Sequence, residues 1–148
     1  MIVRRVAAGL ASVAVALLVI AEFTTVFEVT VGSLDVVRRS VTGGANHGYA
    51  LLLIASVGAA MTLLALRGAR APALALAVLG VAALAIALAV DLPDTRGSGD
   101  LPESLAYENA QARAGTAFGL EVAGGMLLLT AGILLALAGR PAARGTPA

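Results

Sequence analysis

The chain has 148 residues, of which 59% are hydrophobic and only 13% charged, with a formal net charge of +1. Its mean hydropathy is +0.95, whereas soluble domains are about half apolar and about a quarter charged. Such values exclude an ordinary soluble domain and offer no basic surface for nucleic acid; the lack of cysteine excludes disulfides and thiolate metal or redox sites. With a single histidine, a conventional zinc site is not expected, and no cofactor is implied.

The apolar residues fall in long blocks rather than amphipathic periods, which is the pattern of membrane spans. Arg4 and Arg5 precede the first block, residues 6–27, about 33 Å long as a helix. Glu22 and the Thr24-Thr25 pair interrupt it near its far end. A basic start before an apolar run also describes a signal peptide, and Val19-Ile20-Ala21 would serve as its cleavage site. The run is long for a signal and continues through Phe23, Val26 and Phe27, so a retained span is expected.

Glu28 to Asn46 forms the first loop. Ser33 would cap a short helix with Asp35 in its first turn, and Val36-Val37 beside Arg38-Arg39 would suit a segment lying on the membrane surface. Residues 48–66 make the second span, with Ser56, Gly58, Ala60 and Thr62 as small packing positions. A tight turn from Arg67 leads to Pro72, which suits the first turn of the third span, residues 72–90. That span carries no polar group and reads as lipid-facing or supporting.

Asp91 to about Arg113 is the second large loop, holding Asp91, Asp94, Asp100, Glu103 and Glu108. It lacks a close-spaced ligand series, so its acids read as solvated loop charge. Asp100-Leu-Pro-Glu103 has the form of a helix start, and a helix from there to Gly139 would either project outward or break near Gly115. The fourth span covers residues 116–138 and contains Glu121, whose charge in hydrocarbon would cost on the order of 2–3 kcal/mol or more. Gly125, Gly132, Ala136 and Gly139 share its helix face, and Ala114 and Ala117 continue the stripe. Glu121 is therefore expected inside a helix-helix contact. Gly115-x-x-x-Gly119 with Ala123 is a further small-residue repeat, suited to packing within one chain or between copies. Residues 140–148 form a tail expected to be disordered and cytoplasmic.

Four spans sort the charges by side. Arg4, Arg5, Arg67, Arg70, Arg140 and Arg144 fall on one side with no acid; all nine acids fall on the other with Arg38, Arg39, Arg96 and Arg113. The positive-inside rule then places both termini in the cytoplasm and both long loops outside the plasma membrane. Phe23, Phe27, Tyr49, Tyr107 and Phe118 all lie at or beyond the outer boundary, as interfacial rings should.

This layout gathers the polar residues at one end. Glu22, about five residues below the end of its span, and Glu121, about six below, share a depth and are the first candidates for proton or cation binding, with His47 as a base or sensor. Asn46, Asp91, Arg39 and Arg113 complete a candidate outer polar cluster. Two close carboxylates in such a site resist simultaneous ionisation. The competing account is that each acid is tied to Arg113, Arg39, His47 or a backbone group and fixes helix registry. No serine, cysteine or threonine lies in a nucleophile motif, so no catalytic residue is assigned.

SVTGGANHGYA (Ser40–Ala50), DLPD (Asp91–Asp94) and GTAFGLEVAGG (Gly115–Gly125) resemble segments of uncharacterised small four-span membrane proteins of actinobacteria. That resemblance implies the fold and no activity. The order of spans and loops is also similar to that of claudins and tetraspanins, whose extracellular cysteines are missing here. The expected fold is an all-α, four-helix integral membrane bundle over residues 1–139 with two extracytoplasmic loops. The expected function is that of an accessory subunit contacting a membrane-protein partner, or a second copy in a homo-oligomer, through its outer loops. The alternative is a small transporter or sensor using the carboxylate pair, and an enzyme comes third.

Overall fold

The computed structural model describes residues 2–31, 36–96 and 110–139. In chain order the elements are α1 (Ile2–Phe23), β1 (Thr25–Val31), β2 (Val36–Thr42), α2 (Gly43–His47), α3 (Ala50–Leu66), α4 (Arg70–Ile86), a π-helical turn (Ala87–Asp91), α5 (Leu92–Asp94), β3 (Ala110–Ala114) and α6 (Thr116–Ala138). Ile2–Phe23, Arg70–Asp94 and Thr116–Ala138 are long and apolar enough to cross a membrane, and Ala50–Leu66 is a shorter apolar helix beside them. Leu53, Leu63, Leu74, Val78, Val81 and Met126 point outward from the bundle, as lipid-facing side chains would.

Helix α6 packs along both α1 and α4, and α3 closes the ring on the opposite side. The α4–α6 contact is made by glycines. A Cβ on Gly80 would meet the Leu129 amide nitrogen, and one on Gly132 would meet that of Ala77, so backbone lies directly against backbone. Gly125 takes the Leu84 side chain and Gly124 that of Leu18 in the same way. The third apolar block is thus a packing partner that buries Ala73, Leu76, Gly80 and Ala83. Small residues do what they do in membrane bundles generally: they let two helices close to van der Waals contact over a long seam. Within the chain the Gly115–Gly119 repeat plays no such part, because Gly115 precedes the helix and a Cβ on Gly119 would touch nothing within 4 Å.

One end of the bundle carries a three-stranded antiparallel sheet in the order β2-β1-β3. This corrects the all-α expectation. Thr25–Val31 reads TVFEVTV and Val36–Thr42 reads VVRRSVT, both dense in β-branched residues that favour extended backbone. The first helix accordingly stops at Phe23 rather than Phe27, where Thr24 bonds back to the Ala21 carbonyl through both its amide, at 3.1 Å, and its hydroxyl, at 3.2 Å. Val36 and Val37, expected on a surface helix, instead pair with Val31 and Thr30. Ser33 and Asp35 of that helix, the Asp100–Glu103 helix start and the tail 140–148 lie outside the described residues.

The fourth span also begins later than an unbroken helix would. Ala110–Ala114, with Ala114 of the small-residue stripe, pairs with β1, and the chain turns into α6 at Gly115. The Gly115 amide donates to the Val26 carbonyl at 2.6 Å, and a Cβ there would collide with the carbonyl oxygen of Thr25. Only glycine permits that approach.

Candidate functional site

Below the sheet, four elements deliver one side chain each to a common point. Glu22 is the penultimate residue of α1, one position from its end and not five as the longer span implied. His47 ends the short α2, Asp91 ends the π turn after α4, and Glu121 is the sixth residue of α6. Their meeting shows that the bundle helices alternate in direction, since two contribute from their C-terminal ends and two from at or just before their N-terminal ends.

Each position has a local cause. The α2 turn is seated on the end of α1: the Gly43 amide donates to the Thr24 carbonyl at 3.1 Å, and a Cβ on Gly43 would come 2.9 Å from the Ala21 oxygen. Gly48 and Tyr49 then adopt φ of 59° and 64°, two consecutive left-handed residues that swing the chain from α2 into α3 and leave His47 facing inward. For tyrosine that conformation is uncommon, and its ring lies 6.4 Å from that of Phe23. The wider π turn keeps Asp91 on the stripe buried by Ala83 and Ala87 while Leu88 and Val90 stay exposed. Such turns recur at functional sites. Glu121 is buried between Ala117 and Gly124–Gly125 on the face that meets α1 and α4.

His47 Nε2 lies 2.8 Å from Asp91 Oδ1, which also accepts a 2.8 Å hydrogen bond from Asn46 Nδ2. His47 Nδ1 is 3.9 Å from Glu22 Oε2, and Nε2 is 4.0 Å from Glu121 Oε1. The side chains of Glu22, Asp91 and Glu121 are wholly buried, and that of His47 is 5% exposed. Glu22 also faces the amides of Leu51 and Leu52 in the first turn of α3, where the helix end carries partial positive charge. Neither of its oxygens reaches hydrogen-bond geometry.

Among the described residues, every buried side-chain nitrogen or oxygen without a hydrogen-bond partner belongs to this cluster: both oxygens of Glu22 and of Glu121, His47 Nδ1 and Asp91 Oδ2. A donor or acceptor left so costs about 1–3 kcal/mol, and more if charged. Three carboxylates this close also repel one another unless protons or a cation intervene.

Of the residues singled out in the sequence, Glu22, Glu121, His47, Asn46 and Asp91 thus converge. Arg39 and Arg113 lie on the sheet. Arg113 is exposed on β3, across from Glu28 of β1, and Arg39 pairs with Val29 in the ladder, its side chain outside the described residues. Sequence reasoning set Asp91 at the rim among solvated acids; it is fully buried and central, while Asp94 is exposed. Asp100, Glu103 and Glu108 lie outside the described residues. The amides of Leu51 and Leu52 were not legible, since helix ends are visible in a sequence only as approximate positions.

No family model, curated protein or solved structure matches the chain. Geometry alone carries the functional reading.

Proposed function

We propose that the protein is a multi-pass plasma-membrane subunit that binds a cation beneath an extracytoplasmic cap and uses that binding to set the cap's shape for a membrane partner. One observation carries the reading: three buried carboxylates and an imidazole from four elements meet with six polar atoms unsatisfied. The arginine distribution supports placing that end outside. A cation would join α1, α2, the π turn after α4 and α6 at the level where the sheet begins, so its arrival would be felt by β1 and β2, which flank α1 and α2 in the chain.

Binding is favoured over transport because the bundle below the cluster is filled with Ala14, Leu18, Leu76, Ala83 and Leu128. The buried Thr62 hydroxyl lower down is spent within its own helix, on the Gly58 carbonyl at 2.8 Å. A transport path needs polar lining and broken helices near mid-membrane. The sheet supports the partner side of the proposal, because β2 and β3 are its outer strands among the described residues, and an outer strand can extend a ladder.

Native mass spectrometry of the tagged protein from its own host membranes, with and without a chelator, tests this. A second protein whose recovery depends on the chelator supports the reading. A lone chain in both conditions, with unchanged stability, overturns it.

A further inference from the structure

We infer that His47, Asp91 and Glu121 are the ligands of a site for a divalent first-row transition ion of zinc type, with Glu22 and Asn46 holding the ligands from behind. This rests on the cation-site reading above and names its ion. One donor atom from each of the three lies within 4.8 Å of the others. Ligands about 2.0–2.1 Å from a tetrahedral zinc stand about 3.3–3.4 Å apart, a spacing between the 2.8 Å from His47 Nε2 to Asp91 and the 4.0 Å to Glu121. Small side-chain rotations close the set.

Glu121 supplies the independent sign of a ligand. It is 0% exposed, as a carboxylate neither of its oxygens finds a donor, it faces the Asp91 carboxylate, and Oε1 lies 4.0 Å from the imidazole nitrogen that Asp91 already meets. Asp91 Oδ2 is likewise unused. A structural ion pair would satisfy these oxygens. This arrangement leaves them facing a shared centre.

The donor chemistry selects the ion. Calcium and magnesium take oxygen ligands, and soft ions take thiolates, of which the chain has none. Imidazole with carboxylates suits zinc, cobalt, manganese or ferrous iron. For Nε2 to coordinate, the imidazole proton must sit on Nδ1, and Nδ1 faces the Glu22 carboxylate at 3.9 Å. Closing that 3.9 Å gap to a hydrogen bond would give the carboxylate–histidine–metal relation by which proteins fix a ligand's tautomer. Asn46 Nδ2 fixes the Asp91 carboxylate in the same sense. A dication against three carboxylates leaves one net negative charge, held toward the α3 N-terminal amides. Three protein ligands leave the fourth position of a tetrahedral zinc to water.

The test uses the full chain in mild detergent, stripped with chelator and then dialysed against Zn(II). One zinc per chain by elemental analysis is expected, with visible d–d absorption on Co(II) substitution. His47→Gln and Asp91→Asn should weaken binding by more than about 100-fold and Glu22→Gln by about 10–100-fold, while Glu28→Gln on the sheet leaves it unchanged. Should the variants misfold, the wild-type Co(II) spectrum decides: no absorption overturns the inference. Zinc retained in every variant places the ion elsewhere and also overturns it. Stabilisation by Na(I), Mg(II) or Ca(II) without zinc binding removes the transition ion and leaves the cation site. If no cation binds, both readings fall.

Discussion

His47 Nε2 and Asp91 Oδ1 stand 2.8 Å apart across 44 residues of sequence, and that contact ties α2 to the end of the third apolar block. Among the described residues His47 is also the base that Glu22 and Glu121 approach. Replacing it with alanine leaves three buried carboxylates facing, among the described residues, Asn46 and two helix amides. We expect His47→Ala to lower stability by about 3–5 kcal/mol, the range for removing one partner of a buried charged pair, read as a fall in the detergent melting temperature. A change near zero would show that the cluster is not held together by the imidazole.

Glu121→Gln should act in the opposite direction. Glutamine keeps the shape, cannot ionise beside Asp91 and Glu22, and offers an amide donor to the unpartnered Asp91 oxygen. In chelated buffer we expect about 1–3 kcal/mol of stabilisation, together with loss of cation binding. Gain of stability with loss of function is the usual mark of a site kept strained for use. Destabilisation would instead assign Glu121 a structural role.

The seam between α4 and α6 predicts a sharp steric effect. A Cβ on Gly80 would come 2.8 Å from the Gly125 carbonyl oxygen, and one on Gly132 equally close to that of Ala73. Neither backbone can yield as a flexible side chain would. Gly80→Val or Gly132→Val should cost about 1–3 kcal/mol or more and reduce the folded fraction in thermal unfolding, whereas Gly119→Ala, with nothing within 4 Å, should be tolerated.

Gly48 isolates a backbone effect from a packing effect. Its φ is +59° and a Cβ there would meet nothing within 4 Å. Gly48→Ala should therefore cost about 1–2 kcal/mol through the left-handed conformation alone, and it should loosen the turn that presents His47. Weakened zinc binding at intact secondary structure by circular dichroism would connect the turn to the site.

Orientation can be read with thiol labelling, since the chain has no cysteine of its own. Asp94→Cys and Ser40→Cys, both exposed at the sheet end, should react with an impermeant maleimide on intact cells. Ala69→Cys, exposed in the turn between α3 and α4, should react only after lysis. The reverse pattern would place the cluster on the cytoplasmic side.

The bundle was legible in the sequence because a bilayer span demands an unbroken apolar run, and such runs need no tertiary information to be recognised. The burial of Glu121 was legible too, from the small residues that share its helix face. The sheet was written in the same residues, as the β-branched density of TVFEVTV and VVRRSVT, yet hydropathy alone continues the first span straight through Val26 and Phe27. What decides is pairing: a strand forms only when another is there to take its hydrogen bonds, and β3 arrives from more than eighty residues along, Gln111 opposite Thr30. The site shows the same division. Sequence order places the ends of four helices at similar depth, but depth does not say which side chains meet. Only the packing of α6 between α1 and α4, the left-handed turn at Gly48-Tyr49 and the π turn at Asp91 bring the imidazole and the carboxylates within reach of one another. Those features depend on contacts between distant segments, because close packing fixes rotation about a helix axis and composition does not.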